Sequence, residues 1–171
     1  MNAKPTGHYV TKGDELRLQF DRLFHAPIED VWYSLTNPTA TAGWIGTWTG
    51  SPSTGGILFK MTAEDPDADW MSVSVLECEP PHKFRLHIGS GDATRRLHCH
   101  VREAAGGLTT LVFQERIVDP SVVGEIGPGW DYYLDRLQAA RAGQSTPDWG
   151  DYYPVFRDHY RDMPVPRTAT R

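Results

Sequence analysis

Between Trp44 and Glu115 the chain repeats one pattern: a short stretch with an apolar residue at every second position, then a turn, then another such stretch. Ile57, Phe59 and Met61 alternate with Leu58, Lys60 and Thr62; Met71, Val73 and Val75 come next, then Phe84, Leu86 and Ile88, then Leu97, Cys99 and Val101, then Leu111, Phe113 and Glu115. A period of two is the signature of a strand with one buried face. The breaks carry turn residues: Ser51–Gly56, Glu64–Asp67, Pro80-Pro81, Gly89–Asp92 and Gly106-Gly107. With Leu16–Phe24 and a short strand over Trp44–Thr49, this makes about six or seven strands at roughly ten-residue spacing, with no helix inside the run. Parallel strands need long crossovers, so the pattern predicts an antiparallel meander.

Two helices flank the meander. Ile28, Val31, Trp32 and Leu35 fall on one helical face, Glu29 and Asp30 suit its first turn, and Asn37-Pro38 ends it, with a further short turn over Thr39–Trp44. A longer helix is expected to start at Gly127-Pro128 and stop at Gly143. Trp130, Tyr133, Leu134 and Leu137 trace its apolar face; Asp131, Asp135, Arg136 and Gln138 trace the side read as solvent-facing. A half-apolar sheet and one amphipathic helix bury each other, giving an α+β fold.

The ends read differently. Residues 1–14 are polar and punctuated by Gly and Pro, and are expected to be a flexible lead-in to a domain over 15–143. Residues 144–171 form a C-terminal extension dense in aromatics: Trp149, Tyr152, Tyr153, Phe156 and Tyr160. Such side chains are costly to leave in water, so the extension is expected to be ordered, with a short helix over Val155–Met163 and with Trp149, Tyr153 and Phe156 buried. Docking on its own subunit, with Asp148, Asp151 and Asp158 near Arg85, Arg96 and Arg102, is favoured over a clamp on a second copy in a homodimer.

The sequence excludes some classes. It has no apolar run of the ~20 residues that a membrane span needs, and its first residues lack the apolar core of a secretory signal, which points to a cytoplasmic protein. A formal charge of −5 argues against a general nucleic-acid binder. The two cysteines, Cys78 and Cys99, form no C-x-x-C pair and read as buried thiols. No nucleophile elbow or phosphate loop is present, and no cofactor is expected. His98-Cys99-His100 has the residue types of a metal site, but strand alternation points Cys99 away from both histidines, so no metal is expected. The outward set Arg96, His98, His100 and Arg102, beside Lys83, Arg85 and His87, reads as a basic stripe. It is either a solvated face or a surface for an acidic partner.

The stretches Phe24–Trp32, Leu35–Trp44, Gly55-Gly56, Leu76–Phe84, Gly107–Leu111 and Gly129–Leu137 occur in an order that resembles the bacterial branch of the START-like (SRPBCC) superfamily. The likeness is to proteins similar to the C-terminal domain of the heat-shock-protein-90 ATPase activator, and it spans roughly residues 16–142. It implies a helix-grip fold, in which a curved antiparallel sheet grips a long C-terminal helix around a cavity. In that frame the inward residues of the strands and helix, Trp44, Trp48, Phe59, Met61, Met71, Val73, Phe84, Leu86, Leu111, Phe113, Trp130, Tyr133 and Leu137, would line the cavity and hold a hydrophobic small molecule. Glu115, in phase with Leu111 and Phe113, is the candidate acid–base group, and Arg22, in phase with Leu18 and Phe20, a candidate counter-charge. Three functions remain open at this point: a binding protein, an enzyme resembling polyketide cyclases and aromatases, and a protein-interaction module similar to the chaperone ATPase activator.

Overall fold

Strand alternation sets the architecture. The computed structural model describes residues 2–54 and 56–167. It holds eight strands: β1 (His8–Lys12), β2 (Glu15–Phe24), β3 (Thr47–Ser51), β4 (Gly56–Lys60), β5 (Met71–Glu79), β6 (Lys83–Ile88), β7 (Arg95–Ala104) and β8 (Leu108–Arg116). They form one sheet in the order β1-β2-β8-β7-β6-β5-β4-β3. The run from β3 to β8 is a meander, as the turn spacing predicts. Gly55 of the expected Ser51–Gly56 turn, and residues 168–171, lie outside the described residues. The helices are α1 (Ile28–Thr36), α2 (Pro38–Thr41), α3 (Val123–Ala142) and α4 (Arg157–Arg161). The chain divides into two compact units, residues 22–113 and residues 1–21 with 114–171.

In the first unit, α1 buries Ile28, Val31 and Leu35, the face its period marks out. Asn37 ends α1, and its side chain accepts hydrogen bonds from the Thr39 and Ala40 N–H groups to cap α2. A helix end leaves carbonyls without partners. Two indoles supply them: Trp44 Nε1 donates to the Ser34 carbonyl and Trp48 Nε1 to the Thr36 carbonyl, each at 2.9 Å. The expected strand over Trp44–Thr49 starts only at Thr47, because Trp44 is held in the turn that follows α2. Met61 likewise falls just past the end of β4.

In the second unit the expected flexible lead-in is not loose. His8–Lys12 pairs residue by residue with Glu15–Gln19 of β2. Helix α3 begins at Val123, ahead of Gly127-Pro128, and Pro128 lies inside it. The signal for its start is Asp119-Pro120: the Asp119 side chain accepts from Ser121 N–H and caps a single 3₁₀ turn that runs into the helix. The far end is as predicted, with Gly143 in the left-handed conformation at φ 64°.

The C-terminal extension lies along the side of α3 that the sequence assigned to solvent. Gly124, Gly127, Asp131 and Asp135 share that side. A Cβ on Gly127 would sit 2.4 Å from Tyr160 Cγ, so only glycine lets the ring approach. Tyr160 hydrogen-bonds to Asp131, and Tyr152 Oη donates to Asp135 at 2.7 Å. The expected burial of Trp149 and Tyr153 is therefore corrected. The anchors are Tyr152, Phe156 and Tyr160, whereas Trp149 is 42% exposed and stacks on the half-buried Tyr153 at 5.6 Å. Each buried ring contributes on the order of several kcal/mol, enough to offset much of the cost of ordering the segment. The extension thus docks on its own chain.

Candidate functional site

Glu115 lies on β8 two residues beyond Phe113, and the strand period that buries Leu111 and Phe113 buries it too, at 3% exposure. A carboxylate removed from water needs hydrogen-bond donors. Trp130 of α3 donates its indole Nε1–H to Glu115 Oε2 at 2.5 Å. An indole N–H only donates, so this bond fixes the carboxylate's orientation and takes no proton from it. Trp130 meets Tyr133 edge-on at 6.2 Å, and Tyr133, Leu134 and Leu137 are buried along the same helix. The sequence placed Trp130 and Glu115 separately on its site. The bond between them has no sequence signal, since β8 and α3 meet only through the tertiary fold.

Next to Glu115 the strand is buried on its other side as well. Gln114 accepts from Arg17 at 2.9 Å and donates to Gln19 at 2.6 Å, and Arg17 is paired with Glu15 at 2.7 Å. Arg17 is thus a buried cation tied into its own network. Arg22, the expected counter-charge, is buried at 7% exposure.

In the unit of residues 22–113, the register aligns the apolar residues in rows across the strands. Trp48, Phe59 and Met71 form one row; Ile57, Val73 and Ile88 the next; Val75, Leu86 and Leu97 the next; and Cys78, Phe84 and Cys99 the last. A bulge at Leu76 shifts the phase of β5 between the last two rows and leaves Leu76 45% exposed. Trp48, Phe59, Met61, Met71, Phe84 and Leu86 are half-buried, whereas Trp44, Val73, Leu111 and Phe113 are buried. Phe84 also meets Trp32 of α1 edge-on at 5.6 Å. Cys99 lies on the apolar side, where burial pushes its thiol above its ordinary value, and His98 and His100 lie on the opposite side.

Sequence reasoning missed Asp131. Read as a solvated helix residue, it is fully buried. It accepts from the Thr6 backbone N–H at 3.1 Å, from the Thr6 hydroxyl and from the Tyr160 hydroxyl. Tyr160 in turn accepts from Gly7 N–H at 2.9 Å. Burial, and then the neighbouring carboxylate, push the Tyr160 phenol above its usual range. One carboxylate therefore holds both ends of the chain. The spacing Gly124, Gly127, Asp131 along one helical side was the available signal: two glycines permit close approach by another segment, and Asp131 continues their stripe.

No curated protein matches this chain in sequence. Among solved structures, it is similar to CalU16 from Micromonospora echinospora, with 20% identity and a TM-score of 0.69 over 91% of this chain and 92% of that one. It is similar to the protein encoded by gene BPP1335 of Bordetella parapertussis, with 24% identity and a TM-score of 0.69 over 95% and 93%. It also resembles DynU16, a protein of the dynemicin biosynthetic locus, with 21% identity and a TM-score of 0.63 over 81% of this chain and 50% of that one. At these identities the likenesses establish the fold, an antiparallel sheet with a long C-terminal helix. Residues 25–142 match the sequence pattern of the family described as Activator of Hsp90 ATPase homolog 1-like protein. The chain belongs to that family, in the START-like (SRPBCC) superfamily, and has the helix-grip fold.

Proposed function

We propose that this protein binds a hydrophobic small molecule, with Glu115 as the polar anchor of the site. The observation that carries the reading is the buried Glu115 carboxylate, oriented by Trp130 beside Tyr133 and Leu137. An apolar ligand with one hydroxyl or amine would gain burial against the aromatic side chains and donate a hydrogen bond to the carboxylate. Membership of a superfamily whose fold suits ligand binding supports this, as does the likeness to DynU16 of a biosynthetic locus. The same carboxylate supports a second reading, acid–base catalysis of the kind a cyclase or aromatase needs: a bound substrate held in place and one proton-transfer group.

Titration with an environment-sensitive apolar dye bearing a phenolic hydroxyl tests the first reading. Saturable binding at one site is expected. Trp149→Ala, which removes the exposed aromatic surface of the extension, should leave that binding unchanged. Absence of saturable binding, or its loss with Trp149→Ala, would overturn the proposal.

A further inference from the structure

The face of β5, β6 and β7 opposite the apolar rows carries charge that the proposed function does not use. The register sets its side chains in three rows: Ser74, His87 and Arg96; Glu77, Arg85 and His98; Glu79, Lys83 and His100. In every row a basic residue of β6 stands directly across from a basic residue of β7. Each row thus sets a histidine against one Lys or Arg: His87 against Arg96, His98 against Arg85 and His100 against Lys83. Of the two glutamates, Glu77 also stands directly across from Arg85 and attracts it electrostatically. Both glutamates close on Lys83, at 2.7 and 3.3 Å, and hydrogen bonding to Lys83 holds the Glu77 carboxyl below its ordinary value.

The guanidinium groups of Arg85 and Arg96, and of the exposed Arg102 farther along β7, make no hydrogen bond or ion pair among the described residues. Three such groups on one sheet face create a local positive field on a chain whose net charge is −5. The rows contain no Phe, Tyr or Trp on which a nucleobase could stack, which disfavours nucleic acid. Guanidinium groups suit carboxylates, which they can take through two parallel hydrogen bonds. Arg85 and Arg96 are diagonal cross-strand neighbours, about 7–8 Å apart. Alternate residues of an extended peptide are about 6.6–6.8 Å apart.

We propose that this face binds an extended acidic segment of a partner protein, with Arg85 and Arg96 each receiving a carboxylate from residues two positions apart. The test is fluorescence anisotropy with two labelled peptides of equal charge, one with glutamates at alternate positions and one with them in a single block. The alternating peptide should bind several-fold more tightly and weaken as salt rises. Arg85→Gln/Arg96→Gln should lower its affinity on the order of tenfold, with the circular dichroism spectrum unchanged. Lys4→Gln/Lys12→Gln, an equal loss of charge on exposed residues elsewhere, should leave it intact. No saturable binding at low salt, an equal loss in the lysine control, tighter binding of an oligothymidine than of the peptide, or a second copy of the chain occupying the face would each overturn the proposal.

Discussion

Glu115 and Asp131 are both buried carboxylates, and they are held for different ends. The donors on Asp131 are Thr6 and Tyr160, from opposite ends of the chain. Trp130, which donates to Glu115, comes from α3, the helix that follows β8 in the chain. Losing the first set removes a bond shared by two segments remote in sequence, whereas losing the Trp130 bond alters one polar group beside an aromatic side chain. Burial of a carboxylate is therefore a weak pointer to function by itself, and the origin of its donors separates a structural clasp from a candidate site.

The largest effect is expected at the clasp. Asp131→Asn keeps the size but sets an amide N–H against the Thr6 and Tyr160 donors. Hydrogen bonds to a charged group contribute about 1.5–3 kcal/mol each, so a loss of about 3 kcal/mol or more is expected in denaturant unfolding, with faster proteolysis of both chain ends. Wild-type unfolding in that variant would remove the distinction between the two carboxylates.

A smaller effect separates two glycines of α3. Gly127→Ala drives a Cβ into the Tyr160 ring, and overpacking of this kind costs about 1–3 kcal/mol. Gly129→Ala meets nothing within 4 Å and should stabilise the helix by up to about 1 kcal/mol. Opposite signs in paired thermal melts would sharpen the account of how the extension docks. Equal signs would break it.

Much of this was legible in the sequence wherever one physical rule acts alone. Strand alternation placed β4 to β8, and the same period put Glu115 in phase with Leu111 and Phe113. Helical spacing found α1, and a glycine at the required left-handed position found the end of α3. The failures come from segments whose partners are remote in sequence. His8–Lys12 is too short and too polar to read as a strand until β2 pairs with it. Pro128 looked like a first helical residue because Gly127-Pro128 suits a helix start, whereas the Asp119 cap acts through a 3₁₀ turn ahead of the helix. Asp131 and Asp135 looked solvated because an isolated helix shows no sign of the segment that will cover it. Trp149 was expected inside on hydrophobic area alone, but its ring meets Tyr132 edge-on and stacks on Tyr153 while staying 42% exposed. The apolar rows of residues 22–113 followed from alternation; the Trp130–Glu115 bond, in the other unit, required the tertiary fold.

Glu115→Gln should have the smallest effect on stability, since the amide keeps an acceptor for Trp130, and it bears most directly on the central claim. Native mass spectrometry of the wild type and Glu115→Gln, each mixed with the phenolic dye and desolvated under the same gentle conditions, gives the decisive comparison. The account predicts a one-to-one adduct on the wild type that is lost or strongly reduced in the variant, with melting temperatures close to each other. An adduct of equal abundance in both, or none on the folded wild type, would contradict the assignment of Glu115 as the anchor.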